Sequence, residues 1–462
     1  MRLLRQAYRW LDDRLGISST ILPIVEHPVP RTNWWYVFGS ATLVAFVVQV
    51  ITGVALAFSY VPAPNSAADS LQFITHEAVL GSVVRGIHYW GASAMVVLIA
   101  IHMARTFLMG SYKFPRELNW LSGALLFILT LGMAFSGQLL RWDQDAYWAV
   151  VVAAAQAARV PLIGEVFAQI LVAGQTVGGA TLTRFYATHV FLFPALMFML
   201  IGVHLYLVIR HGISEPPQPG DPVDRASYRQ RYADLLRREG IPFWPDAAWK
   251  DVVFALAVGS IVLLLSIVPG PPELGKPADP TIVPADPRPD WYFLWYFALL
   301  ALLPASVEDW FIVGFPLLMG LFLLALPFLA PSGERSAERR PWATAIVGLS
   351  GLAVVVLVWE GHMAPWSPAL DAGPLPETVT GHLTGDTATG AQLFDAKGCH
   401  ACHAIAGGGG QRGPDLTEVG SRLSRDQLVS RTLNGGRNMP AYGAALQPDE
   451  TNALVAFLEQ LR

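Results

Sequence analysis

Seven long apolar stretches dominate the hydrophobic pattern of this chain, at about 34–60, 80–109, 118–140, 186–210, 251–268, 310–330 and 342–360. Each approaches or exceeds the ~20 residues that a helix needs to cross the hydrocarbon core of a bilayer. An eighth apolar run, Trp291 to Leu303, is shorter and is closed by Pro304, so it reads as an interfacial helix. Between the fourth and fifth stretches, Asp224 to Glu239 is charged and helix-prone, which suits a helix lying at the membrane surface. After the last stretch, about Gly361 to Gly385 is rich in Pro, Gly and Thr, the composition of a flexible tether. From Asp386 the chain turns polar and reads as a small helical domain. The pattern predicts an all-α membrane protein with seven transmembrane helices and a small all-α C-terminal domain.

Composition agrees. The chain is 53% hydrophobic and 14% charged, where a soluble domain carries about a quarter charged residues. The net charge of −4 says little about partners; no nucleic-acid partner is expected of a chain of this class. Residues Met1 to Arg14 are basic and amphipathic without an apolar core and cleavage site, so no cleavable signal peptide is expected.

Lys and Arg sort the connections into two sides. Eighteen fall in the N-terminus (Arg2, Arg5, Arg9, Arg14, Arg31), the second connection (Arg105, Lys113, Arg116), the fourth (Arg210 to Lys250) and the sixth (Arg335, Arg339, Arg340), against five on the other side. The excess marks the cytoplasmic face. The N-terminus is therefore expected in the cytoplasm of a bacterial inner membrane, and seven crossings put the C-terminal domain outside.

That domain holds both cysteines of the chain, in Cys399-His400-Ala401-Cys402-His403. C-x-x-C-H is the attachment spacing of a c-type heme: two thiols add to the vinyl groups and the adjacent His403 reaches the iron. Gly413-Pro414-Asp415-Leu416 can wrap that histidine. Met439, in Asn438-Met439-Pro440, lies 36 residues on and is the candidate opposite ligand, with an ordinary core methionine as the alternative. His/Met ligation raises the potential. His400 reads as a bystander. Covalent heme attachment occurs outside the cytoplasmic membrane, in agreement with the charge count. The last stretch, with Leu454, Val455, Leu458 and Leu461 at helical spacing, is expected to pack near Leu393 and Phe394.

Four histidines lie inside the spans: His88 and His102, 14 residues apart on the second, and His189 and His204, 15 apart on the fourth. Ionisable residues at bilayer depth point to function. Fourteen residues is about four helical turns, so each pair shares a face at a separation of about 21 Å. Two such helices can clamp two non-covalent hemes through His88/His189 and His102/His204, leaving no open iron position. Gly39 and Gly53 on the first span are also 14 apart, as are Gly123 and Gly137 on the third; they can clear space for macrocycles, or simply serve close helix packing. Arg85, Arg105 and Arg184 flank the histidines and can pair with heme propionates or snorkel to the interface.

The first 360 residues resemble cytochrome b of the cytochrome bc and bf complexes. The resemblance rests on Arg85-Gly-Ile-His88 through His102-Met-Ala-Arg105, Trp142-Asp-Gln-Asp-Ala-Tyr-Trp148, Thr181-Leu-Thr-Arg184-Phe-Tyr-Ala-Thr-His189 and His211-Gly-Ile-Ser-Glu-Pro-Pro217. The 15-residue His189–His204 interval and the seven spans resemble the plastid and Gram-positive branch. In these terms residues 1–214 form a four-helix diheme core, 215–360 a three-helix part with the quinol-site loop, 361–385 a linker and 386–462 a class I cytochrome c domain. Pro289-Asp290-Trp291-Tyr292 is similar to the family's Pro-Glu-Trp-Tyr signature with Asp for Glu. The resemblance makes Asp290 the acceptor of a quinol proton, with Tyr292 and Tyr147 lining the outer site; both tyrosines also suit an aromatic belt. Lys250-Asp251 resembles the inner quinone pair, although Asp251 also suits the helix N-terminus that it opens. Arg210 and His211 are further candidates there. Two departures stand out. Val37 replaces the branch's cysteine for an extra heme, and a c domain is fused to an undivided b part.

The resemblance implies a proton-translocating quinol–cytochrome c (or plastocyanin-like acceptor) oxidoreductase, with two b hemes, one c heme and quinol as substrate. It implies a separate Rieske iron–sulfur subunit, since no cysteine remains here, a soluble or membrane cytochrome c acceptor, and a homodimeric complex in the lipid bilayer. The alternative is a diheme electron conduit or anchor for another dehydrogenase, without its own quinol-splitting site.

Overall fold

The computed structural model describes residues 2–174, 176–279, 288–364, 373–410, 413–436, 439–443 and 445–462. Residues 365–372 of the expected linker and Asn438 lie outside this set. Among the described residues, seven helices are long and apolar enough to cross a membrane: Trp34–Ala57, Gly81–Leu108, Glu117–Leu139, Gly179–His211, Trp249–Ile267, Ser306–Leu329 and Pro341–Met363. Trp291–Ala301 is a short apolar helix, as expected.

The fourth span begins at Gly179 rather than at 186. Its helix Gly179–Ala187 passes through a π-turn, Thr188–Leu192, into Phe193–His211. Pro194 explains the turn: it has no N–H to offer the preceding turn and its ring crowds that turn's carbonyl. Widening to π geometry relieves both and takes up one extra residue. The 15-residue His189–His204 spacing thus keeps both imidazoles on one face, as 14 residues do in the regular second span. The surface helix starts at Tyr228, after Asp224, because the Asp224 carboxylate accepts from the backbone N–H groups of Ala226 (3.3 Å) and Ser227 (3.2 Å) and closes the entry turn.

The first span packs on the second and the third on the fourth, while the fifth lies against the first two. The buried centre of this bundle is Ala41, Ala45, Phe46, Met95, Leu98, Leu126 and Met197. The sixth span leans on the third, and the seventh carries the short helix Trp291–Ala301. Outward faces are rich in exposed Leu, Val, Ile and Phe, which only a lipid solvent tolerates.

The His102 end is closed by buried cations. Lys113 Nζ donates to the carbonyls of Ala330 (3.0 Å) and Ser332 (2.5 Å), Arg116 Nε to Gly212 (3.0 Å), and Arg340 Nη1 to Phe107 (3.2 Å). These carbonyls lie at or just beyond the C-terminal ends of the sixth, fourth and second spans, where positive charge complements the helix dipole.

In the C-terminal part, Asp386–Ala396 packs against Pro448–Gln460, with the rings of Phe394 and Phe457 at 5.7 Å. Leu454, Val455, Leu458 and Leu461 all enter this core.

Candidate functional site

His88 and His189 face each other with ring centroids 6.4 Å apart and planes at 79°. Two metal–imidazole bonds of about 2 Å, plus half a ring on either side, fill about that separation. His102 and His204 are electrostatic neighbours deeper along the same two spans.

The four glycines sort onto the four histidines. A Cβ at Gly39 would meet His102 Cε1 at 2.9 Å, at Gly53 His88 Cε1 at 3.2 Å, at Gly123 His204 Cε1 at 3.4 Å and at Gly137 His189 Cε1 at 2.6 Å. Each glycine thus faces the Cε1 edge of an imidazole on a neighbouring helix.

Three hydroxyls that the sequence reading passed over complete the arrangement. Thr52 Oγ1 lies 2.9 Å from His88 Nδ1, Ser122 Oγ 2.9 Å from His204 Nδ1 and Ser136 Oγ 3.1 Å from His189 Nδ1. Each hydroxyl gives its own proton to a helical carbonyl: Thr52 to Val48 (2.7 Å), Ser122 to Leu118 (2.9 Å), Ser136 to Met133 (3.1 Å). Each can then only accept from the imidazole, so Nδ1 carries the proton and Nε2 is left as the metal-binding nitrogen. The signal was present in the sequence as a Thr or Ser directly before Gly53, Gly123 and Gly137.

The flanking arginines differ. Arg105 is buried, stacks 3.5 Å over the Tyr36 ring, and leaves Nε and Nη2 without a hydrogen-bond partner among the described residues. A buried donor left unpaired costs about 1–3 kcal/mol, so these atoms fit an anionic group such as a heme propionate. Arg85 instead spends its donors on Pro272 O (2.7 Å) and Thr75 Oγ1 (3.2 Å). Arg184 is exposed and donates to the Ile170 carbonyl. Val37 is buried at the start of the first span.

The C-terminal motif fits its group as well. Cys399 and Cys402 are not joined in a disulfide, and burial pushes the Cys399 thiol up to about 12. His403 Nδ1 donates to Pro414 O at 2.7 Å, which again leaves Nε2 for a metal. Gly413 lies against the same ring, where a Cβ would be 2.4 Å from Cε1. Met439 is half-buried and exchanges two backbone hydrogen bonds with Gly436, whose N–H donates to the Met439 carbonyl (2.9 Å) and whose carbonyl accepts the Met439 N–H (3.1 Å). His400 is buried, and among the described residues neither of its ring nitrogens has a hydrogen-bond partner.

At the His88 end, Asp290 opens the helix Trp291–Ala301 and accepts a 2.5 Å hydrogen bond from Tyr292 Oη. Trp291 Nε1 donates to Ser93 Oγ on the second span at 3.3 Å, which ties the loop to the His88 helix. Burial raises the Asp290 carboxyl above its usual range; the Tyr292 hydroxyl and the Arg141 charge pull the other way. Burial, then the Asp290 charge, lifts the Tyr292 phenol well above its ordinary value. Arg141, which none of the sequence motifs includes, pairs with Asp143 (3.2 Å) and Asp145 (3.3 Å). Tyr147 is buried against the Trp142 and Trp148 rings and pushed up to about 12 by burial; among the described residues no hydrogen bond joins it to Asp290 or Tyr292.

At the other end, Lys250 Nζ donates to Thr32 O at 2.6 Å and Ser40 Oγ donates to Asp251. This holds the pair beside Gly39 and hence beside His102. His211 instead bonds Asn119 Oδ1 on the third span at 2.9 Å, and Arg210 is exposed. The two halves of the expected inner site share no hydrogen bond among the described residues.

Comparison with known proteins agrees with this geometry. Residues 24–212 match the family model cytochrome b/b6/petB, 277–376 cytochrome b(C-terminal)/b6/petD, and 385–458 cytochrome C oxidase, cbb3-type, subunit III. Cytochrome b6 of Heliobacterium modesticaldum is 41% identical over 210 residues, which are 45% of this chain and 99% of that protein. Cytochrome b of Rhodobacter capsulatus is 32% identical over 378 residues, covering 77% of this chain and 84% of its own. Among solved structures, a hyperthermophilic respiratory Complex III matches with a TM-score of 0.66 at 31% identity, over 77% of this chain and 91% of that one. The chain belongs to the cytochrome b family of bc- and b6f-type complexes, with a cytochrome c domain fused behind its last membrane helix.

Proposed function

We propose that this chain oxidises quinol at its His88 end and divides the two electrons between two routes. The observation that carries the reading is the half-buried Asp290 carboxylate, held by the Tyr292 hydroxyl on a loop bonded to the His88 helix. A quinol hydroxyl within reach of Asp290 gives it a proton, and burial suits that task by bringing its proton affinity nearer to neutral pH. Arg141 opposes the burial and keeps the carboxyl able to ionise. His88 with His189, His102 with His204, and Cys399, Cys402, His403 and Met439 would each hold a heme, which would supply reversible one-electron chemistry at both ends of the bundle and in the fused domain. Arg105 binds the acidic edge of the group nearest to it, and the apolar layer of Ala41, Phe46, Met95, Leu126 and Met197 keeps water from the path between the pairs. Lys250 and Asp251 attend the quinone reduced at the opposite end.

The first electron leaves through a Rieske iron–sulfur partner on a separate subunit, because both cysteines here serve the C-x-x-C-H motif. The excess of Lys and Arg at the His102 end makes that end cytoplasmic, so quinol protons are released outside. Asp290→Asn is expected to slow quinol oxidation by at least about 100-fold while heme content stays at two b hemes per c heme. Turnover at the unsubstituted rate would remove Asp290 from the reaction.

A further inference from the structure

Each of the four glycines that seat an imidazole sits in a helix, and the residues around it follow one pattern in three cases. The residue directly before the glycine is Thr52, Ser122 or Ser136, and its hydroxyl accepts from the imidazole Nδ1–H. The fourth case departs: Gly39 follows Phe38, which carries no hydroxyl, close behind the 3₁₀ turn Trp34–Tyr36 that precedes the regular helix. No hydroxyl side chain stands directly before Gly39 to accept from His102, and Arg105, three residues on from it, leaves Nε and Nη2 without a partner among the described residues.

From this asymmetry we infer that Thr52, Ser136 and Ser122 are positioning residues that set the reduction potential of the iron each histidine would bind, and that His102 lacks this control. The inference rests on the reading of the histidine pairs as heme ligands. An imidazole that donates through Nδ1 is a stronger electron donor through Nε2. A stronger donor favours the ferric over the ferrous state and lowers the potential. Both imidazoles at the His88 end are strengthened in this way and only one, His204, at the other end. The hydroxyls also fix the ring planes, because each is anchored to its own helix by the bond to a carbonyl one turn back.

The test is a redox titration of the full-length chain in its membranes, following the two b-type absorption bands separately. Thr52→Val keeps the side-chain shape and removes the acceptor; Ser136→Ala does the same for the partner ring. Both are expected to raise the potential of the heme at the His88 end, by a threefold to tenfold shift of its ferric/ferrous equilibrium; tenfold is about 59 mV for one electron. Ser122→Ala is expected to move only the other heme, and Thr52→Ser, which retains the hydroxyl, to leave both in place. Unmoved potentials in heme-replete Thr52→Val and Ser136→Ala, or shifts at the wrong heme, would overturn the inference. Absence of b heme from the unsubstituted chain would instead overturn the reading of the histidine pairs. Should Thr52→Val lose heme, Ser136→Ala and Ser122→Ala decide the matter through their opposite site selectivity.

Discussion

A single hydrogen bond governs much of what Asp290 can do. The carboxyl must be ionised to accept a proton, so quinol oxidation falls on the acid side as it becomes protonated. Burial places that limb above the ordinary carboxylate range of about 4. The 2.5 Å bond from Tyr292 Oη stabilises the charged form. Tyr292→Phe removes it, raises the carboxyl further and is expected to shift the acid limb of the kcat/KM–pH profile to higher pH. A limb that stays put or moves to lower pH would show that Asp290 is not the titrating group. Asp290 also illustrates a limit of motif reading: Pro-Asp-Trp-Tyr points to the acid, whereas its counter-charge, Arg141, comes from a connection about 150 residues earlier.

Helices are where the glycines act. A neighbour 3.4 Å from a new Cβ is in ordinary contact, whereas 2.6 Å forces something to move. The side chain in the way is an imidazole, held through Nδ1 by Ser136 in the case of His189, and packed interiors relax only in part. Gly137→Ala and Gly39→Ala are therefore expected to expel or tilt one b heme each, lowering the b-to-c ratio in a pyridine hemochrome spectrum from two toward one. Gly123→Ala is expected to be tolerated, because its Cβ would lie 3.4 Å from His204. Equal loss in all three would mean that helix packing, and not the imidazole seat, is what the glycines serve. The π-turn at Thr188–Leu192 belongs to the same scale: it turns a 15-residue interval into a second clamp helix in register with the first.

At the scale of the whole chain, the membrane part and the C-terminal part have separate interiors. The buried cluster of the latter, from Ala391 through Leu461, draws on no residue of the spans. Replacing Cys399 and Cys402 together by Ala is expected to abolish the c-type spectrum and leave both b-type bands unchanged in position and amount. Loss of the b bands in that variant would show that the two parts assemble interdependently. The cation-capped end of the bundle gives the topology a physical basis as well: Lys113, Arg116 and Arg340 hold carbonyl ends of three spans, so the side with the excess of charge is also the side where helix dipoles terminate on buried cations.

What the amino-acid order determined alone was whatever depends on local spacing. Span count follows from runs of apolar residues. The four histidines and four glycines follow from intervals of 14 and 15, and the c-type motif from five consecutive residues. Each is a one-dimensional pattern imposed by helix pitch, bilayer thickness or the reach of two thiols. Tertiary structure decided the pairings that no interval encodes. It matched Gly39 with His102 and Gly137 with His189, made Thr52, Ser122 and Ser136 acceptors for rings on other helices, and brought Arg141 to Asp290. It also spent the donors of Arg85 on protein while leaving those of Arg105 open. These contacts join residues far apart in the chain, and their energies depend on burial and orientation. The packing of the helices supplies both.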